Sequence, residues 1–116
     1  MAMDVLRIKV AEARGWRIFD EQGNPIAYPF NEVDLSGIPP GEAMDEPVPS
    51  YTTSMDACME LLDELSENNV SWMLENYGKS GYRFIIIFDE ERALAFRSDQ
   101  ICMAVCDGYM AWKEEQ

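Results

Sequence analysis

Residues 82–88 read YRFIIIF. A strand sends successive side chains to opposite faces, so Tyr82, Phe84, Ile86 and Phe88 point one way and Ile85 and Ile87 the other. Aromatic and β-branched residues suit such a pleated, packed surface. Both faces of this segment are apolar, and a sheet apolar on both faces needs a layer on each. That requirement sets the expected architecture.

Working outward, the flanks complete a meander. Val70, Trp72 and Leu74 alternate before it, and GKSG at 78–81 turns the chain into it. DEER at 89–92 turns the chain out, and ALAFR at 93–97 returns it. Helices lie on either side. Residues 52–69, TTSMDACMELLDELSENN, offer Thr53 or Ser54 as N-cap and Asp56 in the first turn. Met55, Cys58, Met59, Leu62 and Leu65 make an apolar stripe, and Asp56, Glu60, Asp63, Glu64 and Glu67 lie largely away from it. Residues 98–116 form the closing helix, with Ser98 as N-cap and Asp99 behind it. Ile101, Val105, Gly108 and Trp112 are its stripe, widened by Cys102, Tyr109 and Met110.

The first sixteen residues, MAMDVLRIKVAEARGW, place Met3, Leu6, Val10 and Ala13 at helical steps. Gly15 can end that helix in a left-handed cap, and Trp16 and Ile18 return to the core. DEQGNP at 20–25 is a turn. From 27 to 50, Pro29, Pro39, Pro40, Pro47 and Pro49 forbid a continuous helix or an interior strand, so this stretch is expected to be a long, Pro-rich acidic loop. Tyr28, Phe30, Val33, Leu35 and Ile38 would lay it partly against the core. The expected fold is α+β in one domain, 1–116: a three-stranded antiparallel sheet sandwiched between helical layers. The order is helix, long acidic loop, helix, three strands, helix.

Charge is distributed unevenly. The chain of 116 residues carries −13, with 9 basic and 22 acidic residues and a pI near 4.1. Residues 20–68 hold twelve acids and no Lys or Arg. A surface that tracks phosphates needs cations, so direct binding of nucleic acid or of an anionic membrane is disfavoured. A basic protein partner fits better. Three cysteines and no histidine do not form a secreted disulfide framework or a zinc constellation. Cys58, Cys102 and Cys106 fall on or beside apolar stripes and are expected to be reduced and inert. No apolar leader or membrane-length run is visible, which places the chain in a reducing cytosol, that of a bacterial host if the gene is a phage's.

Four places resemble the phage ABA sandwich domain, a family of small bacteriophage and prophage proteins. They are the first helix ending in Gly15-Trp16, the junction PSYTTSMDACMELLDEL from Pro49 to Leu65, the strand meander, and the closing helix RSDQICMAVCDGYMAW. At the junction the family has a proline, an aromatic and an acidic residue entering its second helix. The basic residues and histidines usual in related second helices are missing here. The resemblance implies helix–sheet–helix layering and a phage or prophage gene. It brings no catalytic residue with it.

No catalytic, metal or cofactor site is expected. The carboxylate pairs Asp45-Glu46, Asp63-Glu64 and Glu90-Glu91 lack the dry pocket that separates an acid from a base. Asp89, Glu90 and Glu91 lack the ligand spacing of a calcium loop. Without histidine there is no Ser/His or Cys/His nucleophile pair. GKSG lacks the spacing and following helix of a phosphate loop. Trp16, Tyr51 and Trp72 could line a ligand pocket, although aromatics at such spacing usually build core.

The acidic segment carries the leading expectation. Glu42, Asp45, Glu46, Asp56, Glu60, Asp63, Glu64 and Glu67 would form a negative surface that imitates a nucleic-acid backbone. Such a surface binds and blocks a basic host protein, for example a nucleic-acid-binding defence enzyme, as an anti-CRISPR-like inhibitor does. The plainer alternative for these acids is a solvated face. Two other function classes stand beside the leading one: a binder that sequesters a nucleotide signal, and a structural or assembly protein. The number of copies in the assembly is not legible from the sequence.

Overall fold

The computed structural model describes residues 3–18, 36–44 and 46–115. The fold class is α+β, with three helices and two three-stranded antiparallel sheets. The chain divides into two compact units, Met1–Pro49 and Ser50–Gln116. The boundary falls at the end of the segment expected to be a loop.

In the first unit, α1 (Met3–Ala13) buries Leu6, Ile8, Val10 and Ala11. Two bonds beyond its last turn form a Schellman motif. Trp16 N–H donates to the Ala11 carbonyl and Gly15 N–H to that of Glu12, with Gly15 at φ +99°. The Gly15 cap is therefore where the sequence puts it. The 27–50 loop needs correction. Strands β1 (Arg17–Ile18), β2 (Ser36–Ile38) and β3 (Glu46–Pro47) pair in the order β1-β2-β3. Prolines allow this because β2 stops before Pro39 and Pro40, while Pro47 sits on an edge strand. Tyr28, Phe30, Val33 and Leu35 lie outside the described residues. Arg7 holds the end of the segment: its Nε donates to the Pro49 carbonyl at 3.0 Å and its Nη2 to the Val48 carbonyl.

In the second unit, α2 (Met55–Glu67) starts at Ser54, whose Oγ accepts from Ala57 N–H at 3.4 Å. It ends in a second Schellman motif with Asn69 at φ 60° in place of glycine. Its buried residues are Cys58, Leu61, Leu62 and Leu65. Leu61 thus replaces Met55 and Met59 of the expected stripe, which are 43% and 45% exposed. Strands β4 (Ser71–Asn76), β5 (Tyr82–Asp89) and β6 (Arg92–Ser98) form the meander, with a 3-10 turn at Gly78–Ser80. Helix α3 (Ile101–Glu114) follows.

Register sorts the two sheet faces. Trp72, Ile86 and Leu94 lie abreast, as do Leu74, Phe84 and Phe96. This face receives α3, whose Gly108 meets Phe84 and Ile86. It also receives α2, since Trp72 Nε1 donates to Ser66 Oγ at 3.2 Å. Phe84 and Ile86 are fully buried. On the opposite face Met73, Ile85 and Ala95 lie abreast, beside Ser71, Ile87 and Ala93. Ile85 and Ile87 are only half-buried there, and Met73 is 50% exposed. Both helices of this unit lie on one face, so the expected second helical layer is not contributed within it. Phe88 also departs from expectation. The register shifts between Ile87 and Asp89, and the bulge leaves Phe88 half-buried beneath the Arg92 guanidinium at 4.9 Å.

Candidate functional site

The acids of α2 follow from helix geometry. At 3.6 residues per turn, positions 56, 60, 63 and 67 lie on one stripe. Asp56, Glu60, Asp63 and Glu67 are all exposed there, opposite the buried Cys58, Leu61, Leu62 and Leu65. Glu64 is not part of that stripe. It is half-buried, accepts from Tyr109 Oη at 2.9 Å and faces Lys113 Nζ at 3.2 Å. Glu64 therefore ties α2 to α3. Glu42 and Glu46 are exposed but belong to the 1–49 unit, and Asp45 lies outside the described residues. Within the 50–116 unit, four of the expected acids share one stripe.

That pattern works against the helix that carries it. Only Asp56 is in the first turn, where the positive end of the helix dipole favours an acid, and no base occupies the last turn. Asp56/Glu60 and Asp63/Glu67 are like charges four apart, each pair costing about 0.2–0.5 kcal/mol on a helix surface.

The aromatic trio is divided between the two units. Tyr51 is 1% exposed. Trp72 packs on Phe84 with ring centroids 6.0 Å apart. Trp16 belongs to the other unit. The bases Arg7, Lys9, Arg14 and Arg17 belong there too, and Arg7 is engaged with backbone carbonyls. A second cationic spot is seen on the outer sheet face. Arg83 Nε donates to Glu75 Oε1 at 2.8 Å, Tyr77 Oη donates to Glu75 Oε2 at 3.0 Å, and Arg97 lies over the Tyr77 ring at 5.6 Å. These bonds hold the Glu75 carboxyl below its ordinary range, the one from Arg83 foremost.

The three thiols are buried and unoxidised. Burial, with Cys102 adjoining, pushes the Cys58 thiol up to about 12, and burial raises Cys102 and Cys106 as well. Cys106 Sγ donates to the Tyr51 carbonyl at 3.2 Å. Such thiols pack rather than react. Among the described residues no cluster of three or more Cys, Asp or Glu could hold a metal ion, and no helix is long and apolar enough to cross a membrane. At the β5–β6 turn, Asp89 Oδ1 accepts from Glu91 N–H at 2.8 Å, which builds the turn.

Sequence reasoning missed one concave site. Thr52, Thr53, Tyr82, Asp99, Gln100, Ile101 and Cys102 line a cleft of about 290 Å³ at the start of α3. The expected cap, Ser98, stays in β6 opposite Tyr82, and the helix begins after Gln100. The signal was ambiguous, because SDQ reads equally as a strand end and as a cap.

The architecture has a solved counterpart. A 2.0 Å crystal structure of a phage protein from Bacillus cereus is similar to this chain, with a TM-score of 0.65 at 14% identity. The match covers 100% of this chain and 90% of that one. At that identity the likeness shows the fold. No protein-family model and no curated protein matches the chain.

Proposed function

We propose that this protein is a non-enzymatic phage accessory protein that acts in the bacterial cytoplasm by presenting the acidic stripe of α2 to a basic host protein. The observation that carries this is the stripe itself. Asp56, Glu60, Asp63 and Glu67 are exposed on one face of a helix, with like charges four apart and no base in its last turn. A row of carboxylates on a rigid helix can stand in for the spaced charges of a nucleic-acid backbone. It would occupy the groove of a nucleic-acid-binding defence enzyme and raise the association rate by electrostatic steering. The phage assignment draws on the Bacillus cereus neighbour and on the resemblance to the phage ABA sandwich family.

The test has two stages. The full chain is used to capture partners from infected host lysate at low and at high salt. The partner's association rate is then measured with the parent and with a variant carrying Asp56→Lys, Asp63→Lys and Glu67→Lys. We expect the variant to stay folded, because all three side chains are exposed. Its association should slow by about tenfold or more at low salt, and the salt dependence should flatten. Equal association rates at low salt would leave the acids as a solvated face and end the proposal.

A further inference from the structure

We propose that the outer face of the β4–β5–β6 sheet is the interface of a symmetric dimer, in which a second copy of this chain packs face to face about a two-fold axis running along β5. Two rows of that face carry the argument. Met73, Ile85 and Ala95 lie abreast in one, and Glu75, Arg83 and Arg97 in the next. Met73, Ala95 and Arg97 are exposed, and Ile85 is half-buried.

Charge is what makes a second copy the fitting occupant. The chain carries −13, so two copies repel over most of their surface. The outer face is the exception. Its one acid, Glu75, lies abreast of two bases, and Arg83 Nε donates to it at 2.8 Å. Arg97 has no ion pair among the described residues; its guanidinium lies over the Tyr77 ring at 5.6 Å. The face therefore holds an acid on one edge strand and an unpaired base at the same level on the other.

That placement is self-complementary. A half-turn about β5 lays β4 of one copy over β6 of the other and keeps each row at its own level. Glu75 then meets the partner's Arg97, and the contact occurs twice. Aligned sheets stack about 10 Å apart and within about 30° of each other, a gap that a Glu and an Arg side chain span together. The apolar row fits in the same way. Met73 falls over the partner's Ala95, long against short, and Ile85 falls over its own counterpart, as interdigitation requires. Arg83 also faces its own counterpart, and its bonds to Glu75 offset that repulsion. The other two-fold open to facing sheets runs across the strands. It would set Met73 on Met73 and leave Glu75 opposite Ser71, with no charge partner. Size and charge thus choose the axis along β5. A face three strands wide lies at the low end of interface sizes, so a dissociation constant of about 10–100 μM is expected. This inference does not rest on the acidic stripe, whose helix packs on the other face of the sheet.

The test is sedimentation equilibrium of the full 13.3 kDa chain at physiological salt, from about 1 μM to about 1 mM. The mass should rise towards twice that of one chain. Ala95→Glu places an acid at an exposed position in the middle of the face and should weaken association about tenfold or more. Glu75→Arg and Arg97→Glu should each weaken it about tenfold, because each sets like charges against one another. An equimolar mixture of those two variants should associate about as tightly as the parent, since each copy supplies the charge the other lacks. The proposal is overturned if the parent stays monomeric throughout, if Ala95→Glu associates as tightly as the parent, or if the mixture associates no better than its two components. The parent's mass can overturn it alone, whatever the variants' folding.

Discussion

Gly108 of α3 lies against the ring of Phe84 in β5. A Cβ built at Gly108 would stand 2.6 Å from Phe84 Cε2, closer still to Cδ2, and 3.3 Å from Ile86 Cδ1. Alanine is ordinarily the better helix residue, by roughly 0.5–1 kcal/mol. Here the atoms in the way belong to a rigid, fully buried ring, and overpacking typically costs about 1–3 kcal/mol. Gly108→Ala is therefore expected to lower stability, by about 1–2 kcal/mol net in denaturant unfolding. An unchanged or raised midpoint would show that α3 can lift off the sheet without loss.

The two faces of β5 should differ in their sensitivity. Ile86 is fully buried and Ile85 is half-buried. Ile86→Ala should cost about 2–5 kcal/mol, the range for core truncation. Ile85→Ala should cost clearly less, because part of its surface already meets water. Equal losses in parallel urea titrations would mean that the Ile85 face is as well covered as the other.

Two carboxylates predict opposite pH effects. Burial raises the Asp107 pKa. The folded state then holds the proton more tightly than the unfolded state, so the stability linked to this group is present below about pH 3.9 and lost as pH rises through the folded value. Asp107→Asn should stabilise the protein at neutral pH and give no gain in strong acid. Glu75 is lowered, chiefly by its bond from Arg83. Its stabilisation is present above about pH 4.3 and is lost as pH falls through the folded value. Glu75→Gln should cost a little at neutral pH and nothing in strong acid. Thermal melts of both variants across that range check the signs, and a Glu75→Gln penalty that grew on acidification would contradict them.

The cysteines should resist labelling. Cys58, Cys102 and Cys106 are buried, and burial raises all three thiol pKa values. Reaction with a maleimide on the native chain should be slower than on the denatured chain by orders of magnitude. Rapid labelling of one thiol in the native state would locate an opening between α2 and α3.

What the sequence by itself determined is local in origin. The alternation of 82–88 marks β5, the turns at 78–81 and 89–92 bound it, and Gly15 and Ser54 take the cap positions their chemistry favours. The exposed acids of α2 were also legible, because a 3.6-residue period sorts one helix into faces without help from the rest of the chain. Tertiary structure decided everything that depends on a distant partner. Strands as short as β1, β2 and β3 carry no periodicity, and form where the chain lets them pair. Glu64 reads as one more surface acid until Tyr109 and Lys113 claim it. Met55 and Met59 lost their place on the buried face to Leu61 because only docking fixes a helix's rotation. Ser98 was a good cap by composition, but its pairing with Tyr82 kept it in β6. That left α3 uncapped over a cleft, since ladder pairing is settled between strands and not within seven residues of sequence.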